Sequence, residues 1–214
     1  MNPIIIVLGL AIVLFSAILH EVAHGFIADR FGDPTARLLG RLTLNPRSHI
    51  DPIMSILLPL MLFISTSGAF FFAAAKPVPV DPFNLRDGRK DMALVALAGP
   101  LTNFIIAIIA AILIKGLFLI STAGILELLL LLFLKLVVQI NLILGIFNLF
   151  PIPPLDGSKI FSLILPEKEA NAYLSFSTFG FIIIIILFAF PIGGFSLQAL
   201  IGKLLIYAEG LLGV

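Results

Sequence analysis

Residues 3–28 read PIIIVLGLAIVLFSAILHEVAHGFIA, an apolar run with three ionisable side chains near its end. As a single helix the run is long enough to cross about 30 Å of hydrocarbon, and Pro3 suits the first turn of a helix. Ionisable groups are costly inside a bilayer. His20, Glu21 and His24 therefore indicate a functional site, with a partner that other parts of the chain must supply.

The composition of the whole chain agrees with a membrane location. Of its 214 residues, 60% are hydrophobic and 12% are charged, and the mean hydropathy is +1.20. A soluble domain has about 25% charged residues, so we predict an all-α polytopic membrane protein. The net charge of +1 comes with no basic block that would favour nucleic acid. The absence of cysteine excludes disulfides, thiolate metal sites and cysteine nucleophiles.

The apolar runs predict about five to six transmembrane helices. The N-terminal run has neither the basic start nor the cleavage site of a signal peptide, so we expect it to stay as a helix. We expect a catalytic membrane core over residues 1–160, a C-terminal helical pair over residues 161–214, and no soluble domain. The individual segments are expected at 3–28, 52–73, 92–114, 125–147, 172–190 and 194–212.

The basic residues predict the orientation of these helices. The loops at 29–51 and 74–91 carry four Lys or Arg each, so the positive-inside rule places both in the cytoplasm. A segment that joins two cytoplasmic loops is not one simple crossing, and we therefore expect 52–73 to be re-entrant or broken. The alternative is an ordinary span with a weak charge bias. Residues 40–45, GRLTLN, alternate as in a short β-strand that would lie near the site.

The sequence His20-Glu21-Val22-Ala23-His24 fits the pattern H-E-x-x-H. Residues four apart lie on one helix face, so both imidazoles can bind one zinc ion while the glutamate acts as general base on a water. The alternative is a structural histidine pair that is hydrogen-bonded between helices.

A catalytic zinc site takes three protein ligands and an open position. One candidate for the third ligand is His49, with Asp51 beside it, in a turn-rich loop. The other candidate is Asp156, which follows the helix at 125–147 and a proline-rich turn, although Asp-Gly is also a common turn pair. The predicted topology brings Asp156 to the same side of the membrane as the two histidines, and it therefore favours Asp156.

HEVAH on a membrane helix, followed later by NLFPIPPLDG, resembles the site-2 protease family of intramembrane zinc metalloproteases. The stretches GRLTLNPRSHIDP, FAAAKPVPVDPFNLR and ALAGPLTN are also similar to that family's compact members, and the resemblance covers about residues 15–160. Larger relatives carry PDZ or CBS domains, for which this sequence has no room.

The resemblance implies the function of individual residues. His20, His24 and Asp156 would hold one Zn²⁺ per chain, and Glu21 would activate the water. Asn148 would orient the substrate or stabilise the oxyanion, and Asn103 is a further catalytic candidate that could equally be a helix–helix hydrogen bond.

The resemblance also implies the setting of the reaction. The substrates would be single-pass transmembrane proteins cleaved within the lipid bilayer, in a prokaryotic cell membrane, with the active site toward the cytoplasm. The sequence predicts no nucleic-acid partner and does not indicate an oligomeric state.

Two other classes of protein fit part of the pattern. A transporter or channel with a metal at its midplane would also have broken helices, but the chain shows no repeat, and Glu21 would have no function there. An inactive scaffold of the same fold is disfavoured because all the expected catalytic residues are present. The remaining intramembrane charge, Lys135, is expected to pair with Glu127 or Glu209 or to extend toward the membrane surface.

Overall fold

The fold is known from a computed structural model, which describes residues 3–50, 61, 76–120, 124–191, 193–194 and 196–214. The described residues form helices and no strands. The helices are α1 (Pro3–Arg30), α2 (Thr35–Leu38), α3 (Gly88–Ile120), α4 (Ile125–Asn148), α5 (Asp156–Phe161), α6 (Glu167–Ser175), α7 (Ser177–Ala189) and α8 (Leu197–Leu212).

Three of these helices are long and apolar enough to cross a membrane, as the sequence predicted. They are α1, α3 and α4, with spans at Ile5–Arg30, Gly88–Leu119 and Ile125–Asn148. The chain is therefore an integral membrane protein. The expected total of five to six spans stays a prediction, because the segment 52–73 lies almost entirely outside the described residues. In addition, α7 and α8 have 13 and 16 residues, fewer than the roughly 20 that a single crossing needs.

The predicted strand at residues 40–45 is absent. Gly40 has a positive φ of 65° at the turn after α2. The carbonyl of Thr43 accepts a hydrogen bond from His49 Nε2, 2.7 Å away, and the side chain of Asn45 caps a short 3-10 turn at Pro46–Ser48. These local hydrogen bonds outweigh the alternation of Leu42 and Leu44, so the segment is a folded loop.

The largest buried cluster lies between α3 and α4. Small side chains of α3 let α4 approach closely, and α4 contributes larger ones. The partly buried Leu205, Ala208 and Leu212 of α8 pack against the same cluster. The predicted C-terminal part therefore shares a core with the N-terminal part, and a domain boundary near residue 160 stays a prediction. The buried members are Ala107, Ala110, Ala111, Ile114, Leu134, Val138 and Leu142.

The connection between α4 and α5 is covered by the C-terminal helices. Tyr173 of α6 donates a hydrogen bond to the carbonyl of Pro151, 2.8 Å away. A Cβ added at Gly180 of α7 would lie 1.6 Å from the carbonyl oxygen of Pro153, so only glycine fits there. Lys135 is exposed on α4 and lines a small cavity together with Glu209.

Candidate active site

Two histidines of α1 and the first residue of α5 meet in the buried centre of the molecule. Oδ2 of Asp156 lies 3.1 Å from Nε2 of His20 and 3.2 Å from Nε2 of His24. Each of the three residues is at most 7% exposed. The structure therefore brings together the three side chains that the sequence predicted as metal ligands.

Helix α3 holds both imidazoles on the side opposite to Asp156. His20 Nδ1 lies 2.6 Å from Oδ1 of Asn103, and His24 Nδ1 lies 2.7 Å from the backbone carbonyl oxygen of Val95. The partner number falls from 103 to 95 as the histidine number rises from 20 to 24, because α1 and α3 are antiparallel. The sequence predicted that these two helices run in opposite directions, and the structure agrees.

Gly99 lies between these two hydrogen bonds on α3. A Cβ at this position would be 2.5 Å from Nε2 of His20 and 2.5 Å from Nε2 of His24. Residues 95, 99 and 103 are four apart and so share one face of α3. This face of α3 therefore places two hydrogen-bond acceptors, Val95 O and Asn103 Oδ1, on either side of Gly99 and against α1.

The hydrogen-bond partners determine which imidazole nitrogen carries the proton. The carbonyl of Val137 can only accept, so the Asn141 amide donates to it (2.9 Å) and accepts from the Asn103 amide (3.0 Å). Asn103 Oδ1 must then accept from His20 Nδ1. Val95 O likewise accepts from His24 Nδ1.

In a neutral imidazole, a proton on Nδ1 leaves Nε2 as a bare acceptor. Both Nε2 atoms then face a carboxylate oxygen, so three acceptors converge in a buried space with no proton of their own to share. Such an arrangement needs a positive charge at its centre, either a second proton on an imidazole or a metal ion, because buried polar groups without a partner are costly.

The spacing between the Asp156 carboxylate and each of the two imidazoles fits zinc. A tetrahedral zinc ion with ligands at about 2.0–2.1 Å holds its donor atoms roughly 3.3 Å apart. The 3.1 and 3.2 Å between Asp156 and the two histidines are close to that value. Imidazole and carboxylate are also ligands that zinc prefers, so the residues present fit the ion.

Asp156 is placed by the close packing of its neighbour. A Cβ at Gly157 would lie 2.1 Å from the carbonyl oxygen of Leu149, so glycine lets α5 pack directly on the end of α4. Lys159 Nζ lies 3.2 Å from Oδ1 of Asp156, which leaves Oδ2 toward the histidines. The ammonium group of Lys159 beside Oδ1 favours the ionised form of the Asp156 carboxyl.

The two other predicted site residues, Glu21 and Asn148, each have a backbone hydrogen-bond partner. Glu21 is partly buried, and its Oε2 accepts a hydrogen bond of 2.8 Å from the Val78 backbone N–H. Asn148, at the end of α4, donates to the Leu144 carbonyl one turn back at 3.0 Å. Within the described residues, no hydrogen bond joins Asn148 to the histidines or to Asp156.

The alternative third ligand, His49, is fully buried in its own loop and is not part of the cluster. Its Nε2 donates a hydrogen bond to the Thr43 carbonyl, and its own backbone carbonyl accepts a hydrogen bond of 2.8 Å from the Lys76 N–H. Asp51, the residue named beside it, lies outside the described residues.

Sequence reasoning missed three contributors to the site, namely Gly99, Asn141 and Lys159. Asn141 could have been found, because an asparagine in the apolar helix at 125–147 needs a polar partner, and Asn103 is the amide of the neighbouring span. Lys159 is three residues after Asp156, within one helical turn. Nothing in the sequence indicated that Gly99 faces the histidines.

Comparison with known proteins gives a family match and several relatives. The model of Peptidase family M50 matches residues 8–125 and 114–189. "Putative zinc metalloprotease YwhC" of Bacillus subtilis is 36% identical over 191 residues, which are 86% of this chain and 81% of that protein. "Putative zinc metalloprotease Rip2" of Mycobacterium tuberculosis is 34% identical over 182 residues, which are 83% of this chain and 65% of that protein.

A Rip2 protein of Mycolicibacterium smegmatis is 31% identical over 182 residues, with the same coverage of 83% and 65%. The chain thus spans about two thirds of the length of the mycobacterial relatives. No solved structure matches the chain.

Proposed function

The chain belongs to peptidase family M50, the site-2 protease family, as a membrane zinc metalloendopeptidase, and we propose that it hydrolyses peptide bonds within or near transmembrane segments of single-pass proteins. Such cleavage would serve regulated intramembrane proteolysis. The proposal is supported by the position of His20 and His24, two of the three clustered acceptors, inside a helix that can span a membrane.

We further propose His20, His24 and Asp156 as the ligands of one zinc ion. The observation that carries this proposal is the convergence of two imidazole Nε2 atoms and a buried carboxylate, 3.1 and 3.2 Å apart. A bound zinc ion acts as a Lewis acid and lowers the pKa of a water toward neutrality. With three protein ligands, a zinc ion would keep a fourth position open for water, as catalysis requires.

Glu21 is the proposed general base and acid. It precedes His24 by three residues and follows His20 directly, so its carboxylate would lie beside the proposed metal position. Glu21 would accept the proton of the attacking water and pass it to the leaving amine. The Asn148 amide would stabilise the negative oxygen of the tetrahedral carbon. To do so it would turn away from the Leu144 carbonyl, to which it donates at 3.0 Å. Asn103, which bonds His20, would position that ligand and not contact the substrate.

The orientation follows from charge. The loops beside the site carry most of the basic residues, which favours a cytoplasmic position, and we propose a multi-pass protein of a prokaryotic cell membrane with its active site toward the cytoplasm.

The experiment that tests the proposal measures zinc content and cleavage together. Purified wild type, Glu21→Gln and Asp156→Asn would be assayed for bound zinc and for hydrolysis of a model single-pass substrate in vesicles. We expect Glu21→Gln to keep about one zinc and to lose cleavage, and Asp156→Asn to lose both. Asp87→Asn is a matched control, since Asp87 is an exposed carboxylate paired with Lys90.

Two outcomes would contradict the proposal. If Asp156→Asn kept its zinc, Asp156 would not be a ligand. If Glu21→Gln cleaved like wild type, no protease role would remain for the glutamate between the histidines.

A further inference from the structure

We infer that the backbone N–H of Val78 positions Glu21 for proton transfer, an inference that rests on the catalytic role proposed above for Glu21. Val78 lies in residues 76–80, a segment without helix or strand that precedes α3. Its N–H donates to Oε2 of Glu21 at 2.8 Å. The other carboxylate oxygen, Oε1, makes no hydrogen bond within the described residues and is left for water.

Within residues 77–79, Val78 has the only backbone N–H group. Val78 lies between Pro77 and Pro79, and proline has no N–H. Proline also fixes its own φ and holds the preceding residue in an extended conformation. The segment therefore presents one N–H, from a backbone of restricted shape, to the carboxylate of Glu21.

Hydrogen bonds on its other side hold the segment in place. Arg41 Nη2 donates to the carbonyls of Lys76 and Pro77 at 3.0 and 3.3 Å. The Lys76 N–H donates to the His49 carbonyl at 2.8 Å. The buried loop histidine thus helps to hold the segment that contacts Glu21, which accounts for its position without any metal.

The side chain of Val78 fixes the distance between the segment and α1. Val78 is 6% exposed and packs over Gly25, where a Cβ would lie 2.7 Å from Val78 Cγ1. Gly25 follows His24 directly and is one turn after Glu21. The absence of a side chain at Gly25 therefore lets the segment come close enough to reach the glutamate.

Anchoring one oxygen of a long side chain has a kinetic consequence. Glu21 has three rotatable side-chain bonds, and a catalytic base must stay in hydrogen-bond reach of the proton that it takes. Loss of the anchor should lower kcat, because fewer molecules hold the carboxylate in the productive position. It should leave KM and zinc content unchanged, since the N–H contacts neither a ligand nor the substrate.

The test removes the N–H while keeping the extended backbone. In Val78→Pro we expect kcat to fall roughly tenfold to a hundredfold, the range for losing one hydrogen bond to a charged group, with KM and zinc content unchanged. Val78→Ala keeps the N–H but loses packing, and we expect it to lose much less kcat. Should Val78→Pro fail to fold, Gly25→Ala moves the segment away from α1 with every donor retained, and it should lower kcat in the same way.

A second measurement needs neither zinc nor activity. In zinc-free protein labelled with [15N]valine, the Val78 amide should exchange with solvent at least about tenfold more slowly in wild type than in Glu21→Ala. The Val80 amide, which makes no hydrogen bond in the described part of the chain, is the internal control.

The inference is overturned if Val78→Pro and Val78→Ala have the same kcat, if only KM changes, or if Val78 exchange is unaffected by Glu21→Ala. A wild type that cleaves no substrate would instead overturn the proposed function, while the exchange experiment would still test the contact.

Discussion

Replacing Gly99 by alanine should abolish the metal site through two contacts. The added Cβ would be 2.5 Å from Nε2 of both His20 and His24. Ordinary contacts to carbon begin at about 3.4 Å, so both imidazoles would have to withdraw by about 0.9 Å. Zinc–ligand distances vary by only about 0.2 Å, so neither ring could keep its bond to the ion without moving the helices apart.

We expect Gly99→Ala to lower zinc affinity at least about a hundredfold, the upper end of the effect that residues behind the ligands produce. Cleavage would fall with the bound zinc. The assay is competitive zinc titration of purified protein, with cleavage of a transmembrane substrate measured at each zinc concentration. Gly116→Ala is the matched control, because Gly116 also lies in α3 and nothing lies within 4 Å of its added Cβ. Zinc affinity in Gly99→Ala within about threefold of wild type would refute the reasoning, since the two rings could not then lie against α3 as described.

Two further predictions concern hydrogen bonds farther from the ligands. Asn141→Leu removes the acceptor that orients Asn103, so we expect zinc affinity to fall about 10–100-fold. Adding Asn103→Ala to this variant should lower zinc affinity little further. Fully additive losses of affinity would show that the two amides act separately. Burial raises the pKa of Asp33, but hydrogen bonds from Thr35, the Asp81 N–H and Asn84 outweigh burial and hold that pKa below its usual range. This lowered pKa stabilises the fold above the ordinary aspartate pKa of about 3.9, and the stabilisation is lost as pH falls through the lower folded value. Asp33→Asn should therefore unfold more easily than wild type at pH 7, and thermal unfolding curves should converge below about pH 4; a constant difference at all pH values would contradict the assignment.

The spanning helices and the three acceptors could be predicted from the sequence because each has a strong physical signal. A run of about 20 apolar residues has few alternatives to a membrane helix, and ionisable groups inside it require partners. The predicted first and last residues of the helices were less accurate than the prediction that the helices exist. Helix α3 runs over Gly88–Ile120 and not over 92–114, since its polar first turn continues the helix beyond the apolar run.

The parts of the site and fold that were wrong or missed depend on contacts that an apolar pattern does not encode. Residues 40–45 have the alternation of a strand, but the hydrogen bonds of His49 and Asn45 fold them into a loop. Alternation over six residues is weak evidence when the competing contacts are absent from the pattern. Gly99 was missed for a related reason, because a glycine in a helix has no side chain whose chemistry could point to its partner.

The amides suggest how more of the site could have been predicted. An apolar helix has few ways to satisfy a polar side chain, so polar residues in neighbouring spans should meet. Among the side chains of the spanning helices that the structure describes, His20 meets Asn103 and Asn103 meets Asn141. Reading the chain in this way connects α1, α3 and α4 through one line of hydrogen bonds that ends at the Val137 carbonyl. Because the line has a fixed donor at each step, it also determines that Nε2 is the nitrogen without a proton in a neutral His20 imidazole. Two amides, in helices that carry none of the proposed ligands, thus favour the tautomer of His20 that binding a metal through Nε2 needs.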